Sequence, residues 1–150
     1  MTVNEFWQEF LIFTNLDNET KYIECFHFEL NEELADKLLE LVLLGIKKAT
    51  ASSLWSYEIN NENIPKTGDY SIVTDWKGNP RCVIKTTTVT ILPFNEITFD
   101  ICKREGEDEN LDSWQRGHKQ FFTEEGKILG YEFCENMPVV FEDFEVVFAV

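Results

Sequence analysis

The sequence predicts an α+β domain in which mostly antiparallel strands curl into a barrel and helices pack outside it. Two observations carry that expectation. Apolar residues at helical spacing are confined to a few segments, near residues 3–13, from 31 to 44, and around Trp114 to Phe122. Between them, and again at the end of the chain, alternating β-branched and aromatic runs are broken by Asn, Gly and Pro.

Phe6, Trp7, Phe10 and Phe13 repeat with the helical period, and Thr2 with Glu5 reads as a capping box. Residues 22–30 read as a short strand, with Phe26, Phe28 and Leu30 on one side and His27 and Glu29 on the other. Asn31 opens the clearest helix. Glu32 and Glu33 in its first turn suit the dipole, Leu34, Leu38, Leu41 and Val42 form its stripe, and Gly45 stands where a C-terminal cap belongs. Ala51 to Tyr57 then reads as a strand and residues 60–68 as a loop. Asp69 to Trp76 and Arg81 to Leu92 read as a hairpin around Lys77-Gly78-Asn79-Pro80. Asn95 to Glu105 suggests a short helix, followed by the acidic loop Glu105-Gly106-Glu107-Asp108-Glu109-Asn110. A helix carrying Trp114, His118, Phe121 and Phe122 comes next, and Pro138 to Val150 is the last β segment.

Composition narrows the function classes. A chain of 150 residues with 43% hydrophobic residues is most simply one domain with a substantial core. No apolar run approaches the roughly 20 residues of a membrane span, and the start lacks a signal-peptide pattern, so a cytoplasmic protein is expected. Cys25, Cys82, Cys102 and Cys134 form no C-x-x-C pair and read as free thiols. With only His27 and His118 available, no metal and no cofactor are expected. The formal charge is −15, from 28 acidic and 13 basic residues, which disfavours broad binding to phosphate backbones. A small neutral ligand meets no such repulsion.

The most informative stretch is Gly45-Ile46-Lys47-Lys48-Ala49-Thr50. A lysine three residues before a threonine, in a turn after a helix, pairs an amine with a hydroxyl, one way to activate a nucleophile. The same lysines also read as cations placed to suit a helix C-terminus, and Thr50 as a β-former opening a strand. Glu105 to Glu109 reads equally as a solvated loop, Trp55 and Trp76 as core or as stacking faces for a base, and His118 as a structural partner or a site residue.

Gly45 to Ser52, Pro65-Lys66-Thr67-Gly68-Asp69-Tyr70, Asn79 to Ile84, Glu105-Gly106-Glu107, and then Trp114, His118, Phe121 and Phe122 follow one another in order. Together they resemble the ASCH-domain family, whose β-barrel fold is related to the PUA RNA-binding domains; the leucine helix and the Glu-Gly-Glu loop resemble a long, acidic bacterial branch of it. The resemblance implies one ASCH (PUA-like) domain over 1–150, with 1–30 as a helix–strand extension. It also implies a nucleoside or nucleotide-like partner, with RNA as an alternative; no DNA and no membrane partner are expected. One branch of small relatives hydrolyses N4-acetylcytidine with Lys as base, Thr as nucleophile and Glu as proton donor. Carried over, these roles fall on Lys47, Thr50 and Glu107, with Lys48, Ser52, Trp55, Glu105 and His118 as substrate-binding candidates. Ser52 stands where those relatives have arginine, two residues after the threonine.

This reading expects Lys47, Thr50 and a glutamate of 105–109 to line one pocket with apolar walls, Gly45 at its rim, and the Lys47 amine within hydrogen-bond reach of the Thr50 hydroxyl or one water away. Replacing Lys47 or Thr50 by Ala is expected to abolish turnover with little change in the unfolding midpoint. The alternative, a non-enzymatic RNA- or nucleotide-binding module, requires Lys47, Lys48, Lys66, Arg81, Lys85, Arg104, Arg116 and Lys119 to gather on one face. A third reading, a protein-interaction domain, expects a large exposed apolar patch.

Overall fold

The computed structural model describes all 150 residues, Met1–Val150. Its elements are α1 (Val3–Thr14), β1 (Glu24–Phe26), α2 (Glu32–Leu43), β2 (Ala49–Ser53), α3 (Leu54–Ile59), β3 (Tyr70–Thr74), β4 (Pro80–Pro93), α4 (Phe99–Cys102), α5 (Leu111–Leu129) and β5 (Pro138–Ala149). The fold is α+β: a mixed five-stranded sheet in the order β1-β3-β4-β5-β2 forms a half-barrel with helices packed on it. Only the β1–β3 pair is parallel; the other three are antiparallel. Long β4 and β5 pair along most of their lengths and carry register shifts at Val83/Ile84 and Thr86/Thr88. Such irregularities bend strands and increase their twist.

Helix α1 starts where the capping box places it, with Thr2 and Glu5 satisfying each other's backbone donors. Its buried Phe6, Trp7, Phe10 and Leu11 pack with Ile72 of β3 and Val83 of β4. The N-terminal segment is therefore part of the core. Asn31 caps α2 by accepting from Leu34 N. Its buried face is Ala35, Leu38, Leu39 and Val42, rotated from the expected stripe, and Leu34 is left exposed. A second cluster joins that face to Phe28, Val73, Ile84 and Phe144. The third surrounds Phe94, Trp114, Phe122 and Met137 between α5 and the far end of the sheet.

Three expectations need correction. The strand expected over 22–30 shrinks to Glu24–Phe26, because the chain turns away and Glu29 takes a positive φ of 60°. The strand expected over Ala51–Tyr57 starts earlier and stops at Ser53, whose hydroxyl accepts from Trp55 N and starts α3. A side-chain cap thus overrides the β-forming residues that follow. Asn95 to Glu105 breaks into two 3₁₀ turns around the four-residue α4.

Candidate functional site

The site begins at the end of α2. Gly45, with φ of +76°, lets the chain leave the helix, and the N–H groups of Gly45, Ile46 and Lys47 return to carbonyls of its last turns. The chain then enters β2, tied on one side to β5 by Phe144 N donating to Lys48 O. On the other side Lys48 N donates to Arg104 O, which fastens the turn containing Glu105, Gly106 and Glu107. Gly106 adopts φ of +71° and passes so near Ile46 that an added Cβ would lie 2.5 Å from its carbonyl oxygen. That contact brings residues 105 and 107 against residue 47 across almost sixty positions of sequence.

Lys47 is 2% exposed. Its ammonium donates to Ala49 O at 2.8 Å, Glu105 Oε2 at 3.0 Å and Glu107 Oε2 at 2.6 Å. Nζ also lies 5.2 Å from the centre of the Phe28 ring. Burial alone would lower its pKa, but Glu105 and Glu107 outweigh burial and raise it. Lys47 is therefore a fixed cation at neutral pH. With three acceptors for three protons, it makes no hydrogen bond to Thr50. A direct Lys47–Thr50 hydrogen bond is absent, because the three protons of the amine are already taken by Ala49, Glu105 and Glu107.

Glu105 is also buried, contrary to the solvated-loop reading. Oε1 accepts Trp114 Nε1 at 2.8 Å and faces His118 Nε2 at 3.2 Å. The other imidazole nitrogen, Nδ1, donates to Trp114 O at 2.9 Å. The doubly protonated ring satisfies both acceptors. Burial opposes that charge, but Glu105 and then Glu107 raise the His118 pKa. Glu105 is desolvated as well, yet Lys47 and His118 hold it well below the ordinary carboxylate range. Glu107 differs. Burial raises it and Lys47 lowers it, but the neighbouring Glu105 charge tips the balance upward to about 7. One carboxylate is locked in its ionised form while the other titrates near neutrality, a division of labour suited to proton transfer.

These groups line a cleft of ≈ 590 Å³ that Thr50 and Ser52 share. Its apolar walls include Phe26, Phe28, Leu38 and Phe121. Eight Asp and Glu residues line it against two lysines, so its field opposes a phosphate. The structure thus brings Lys47, Thr50, Ser52, Glu105, Glu107 and His118 to one cleft. Lys48, a substrate-binding candidate, lies outside it: its side chain is exposed and borders a smaller hollow with Gly45, which is not at the rim of the cleft as expected. Trp55 is also elsewhere, packing on Tyr131 against the third apolar cluster. Trp76 packs against His27 with the rings tilted by 55°, and its backbone N–H donates to Asp36 of α2. Among the lining residues that sequence reasoning missed are Glu24 and Tyr57. Burial first, and then Glu62 and Glu142, raise the Glu24 pKa to about 7. Glu24 left one signal, a charge between Ile23 and Cys25, and Tyr57, between Ser56 and Glu58, left none.

No helix is long and apolar enough to cross a membrane. A family model described as ASCH domain matches residues 24–148. The crystal structure of a protein from Enterococcus faecalis V583, of the DUF984 family, is similar at 36% identity and a TM-score of 0.88, covering 97% of this chain and 87% of that one. An ASCH domain from Lactobacillus crispatus JV V101 is similar at 32% identity and a TM-score of 0.84, covering 96% of this chain and 92% of that one. No curated protein matches.

Proposed function

The chain belongs to the ASCH domain family, and from that membership we infer that its cleft hydrolyses an amide on a small uncharged nucleoside, of the N4-acylated cytidine type. The observation that carries this reading is the buried Lys47 ammonium clamped by Glu105 and Glu107 in the wall of a cleft that also holds Thr50. Thr50 is the nucleophile; its hydroxyl makes no hydrogen bond within the protein. Glu107, protonated over part of the neutral range, donates to the leaving amine. Lys47 keeps the two carboxyl groups in place and supplies positive charge. It is held as an ammonium and so does not serve as a neutral base. Glu105 is the anchor of Lys47 and His118, and Phe26, Phe28 and Phe121 offer flat apolar faces to a base.

The RNA-binding alternative finds less support. Of the eight cations it needs on one face, five are paired with carboxylates: Lys47, Arg81 with Glu40, Arg104 with Asp143, Arg116 with Asp112, and Lys119 with Glu135. Electrostatic RNA binding requires cations free to displace counterions.

The test is release of cytidine from N4-acetylcytidine and longer acyl analogues by purified protein. Turnover should persist with chelator present and fall sharply in Thr50→Ala and Glu107→Gln. No cytidine from any acyl variant would refute this reading.

A further inference from the structure

A threonine that attacks an amide needs a group to receive its proton, and Lys47 already donates all of its own elsewhere. The residue opposite Thr50 is Glu142. Strands β2 and β5 are antiparallel, and Thr50 and Glu142 are Cα partners in that ladder. Such partners leave the sheet on the same face with Cβ atoms about 4.5–5.5 Å apart. Glu142 is only 4% exposed and has no salt-bridge partner. Thr86 of β4 donates its hydroxyl to Glu142 Oε2 at 2.6 Å, while Oε1 accepts no hydrogen bond from the protein. A buried carboxylate is thus fixed by one oxygen beside the only unpartnered hydroxyl that the hydrolytic reading uses.

We propose that Glu142 is the general base for Thr50, with Thr50 in the cleft wall and Glu142 buried opposite it in the β2–β5 ladder. This rests on the hydrolytic reading above. In acylation, Thr50 Oγ1 bonds to the amide carbonyl carbon and its proton passes to the Glu142 carboxylate. The carbon–nitrogen bond breaks, and the leaving amine takes the Glu107 proton. In deacylation, water attacks the Thr50 ester and gives a proton to Glu107. Glu142 returns its proton to the departing Thr50 oxygen, so one water is consumed and both carboxyl groups are restored. Burial makes Glu142 more basic than an exposed glutamate; the Thr86 bond opposes this, and Asp69 and Asp143 reinforce it. Glu24 from β1 and Tyr57 from α3 also face it, and no cation does.

The experiment has two arms. Glu142→Gln keeps the shape and the acceptor for Thr86. Turnover of N4-acetylcytidine at pH 7 should fall about 10²-fold or more in kcat. Cytidine affinity should be kept, and the acid limb of the pH profile should disappear. A loss below about threefold, outside the range for general-base catalysis, overturns the proposal while leaving the hydrolytic reading standing. The second arm needs no natural substrate: p-nitrophenyl acetate is the acyl donor, and acylation of Thr50 is located by peptide mass spectrometry. Labelling of Thr50 in the wild type and not in Glu142→Gln supports the pair. Equal labelling in both, or none in the wild type, overturns it. Labelled Thr50 without cytidine release from any substrate refutes the nucleoside reading and preserves the pair. Should Glu142→Gln fail to fold, Glu142→Asp withdraws the carboxylate by one methylene. Its acylation rate should drop roughly tenfold or more, and an unchanged rate overturns the proposal.

Discussion

Replacing Lys47 with Met tests the charge cluster directly, because Met fills most of the lysine stem and removes only the ammonium. The sequence reading expected substitution at Lys47 to leave stability nearly unchanged. Its burial and its three acceptors give the opposite expectation. Removing one partner of a buried ion pair leaves the others uncompensated and costs about 3–5 kcal/mol. For a chain of this length that lowers the unfolding midpoint by roughly 6–20 °C. The loss should depend on pH with a defined sign. Without the ammonium, the folded-state pKa values of Glu105 and Glu107 both rise above their unfolded values. Their neutral forms then contribute stability below the unfolded pKa, and that contribution disappears as pH climbs through the raised folded values. The gap between wild type and Lys47→Met is therefore small near pH 5 and large at pH 8. Urea unfolding followed by tryptophan fluorescence at both pH values measures it. Adding Glu105→Gln should recover part of the loss, with a coupling energy of about 0.5–3 kcal/mol. A loss under about 1 kcal/mol at both pH values, the range of an exposed pair, would refute the clamp.

Gly106→Ala should separate the acidic turn from Lys47. The positive φ and the approach to the Ile46 carbonyl both resist a side chain, so we expect a cost of about 1–2 kcal/mol from the conformation alone, with more from the clash. Urea unfolding reads the cost, and cytidine release should fall with it; an unaltered midpoint would show that the turn is not held against Ile46. The wild-type protein should become less stable from about pH 5 to pH 8. Glu24 and Glu107 have folded pKa values of about 7 and keep protons that the unfolded chain has released, and raised His118 acts in the same sense. Each such proton contributes a slope of about 1.4 kcal/mol per pH unit while the two states differ in protonation. Glu105, held low, adds stability that is lost only in acid below this window. Unfolding midpoints rising towards pH 8 would contradict these assignments.

The helices were legible because their signals are local. Thr2 with Glu5 and Asn31 before Leu34 act within one turn, and both caps form as expected. Trp114 and His118 were legible as neighbours one turn apart, and both reach the same carboxylate. Which glutamate of the acidic run turns inward was not legible. Gly106 places Glu105 and Glu107 on the Lys47 side, and that depends on a contact with Ile46 far away in sequence. The sequence places Ser53 inside a strand because its capping bond competes with β-forming neighbours, and nothing in composition decides that competition. Glu142 left one mark, a charged residue in the apolar run Val139-Val140-Phe141 before Phe144. Its position opposite Thr50 is a matter of register between residues more than ninety positions apart, which periodicity cannot supply.

The distribution of titratable groups separates site from surface more sharply than the net charge does. Five glutamates have raised pKa values: Glu24, Glu29, Glu107, Glu125 and Glu142. Four of them line the cleft, and the fifth stands beside Thr50 in the adjoining ladder. Burial is the first cause in every case, so these carboxyl groups cost the fold stability that Glu32 or Glu33, exposed at the start of α2, does not. Solubility accounts for acids of the second kind and gives no reason to bury the first. Within the cleft only Glu105 is pulled the other way, and the groups that do so are Lys47 and His118. A pocket with one ionised carboxylate, one fixed ammonium and two carboxyl groups, Glu24 and Glu107, raised to about 7 fits the proton transfer to an uncharged ligand that we propose. A site built to grip a polyanion would place those same acids elsewhere.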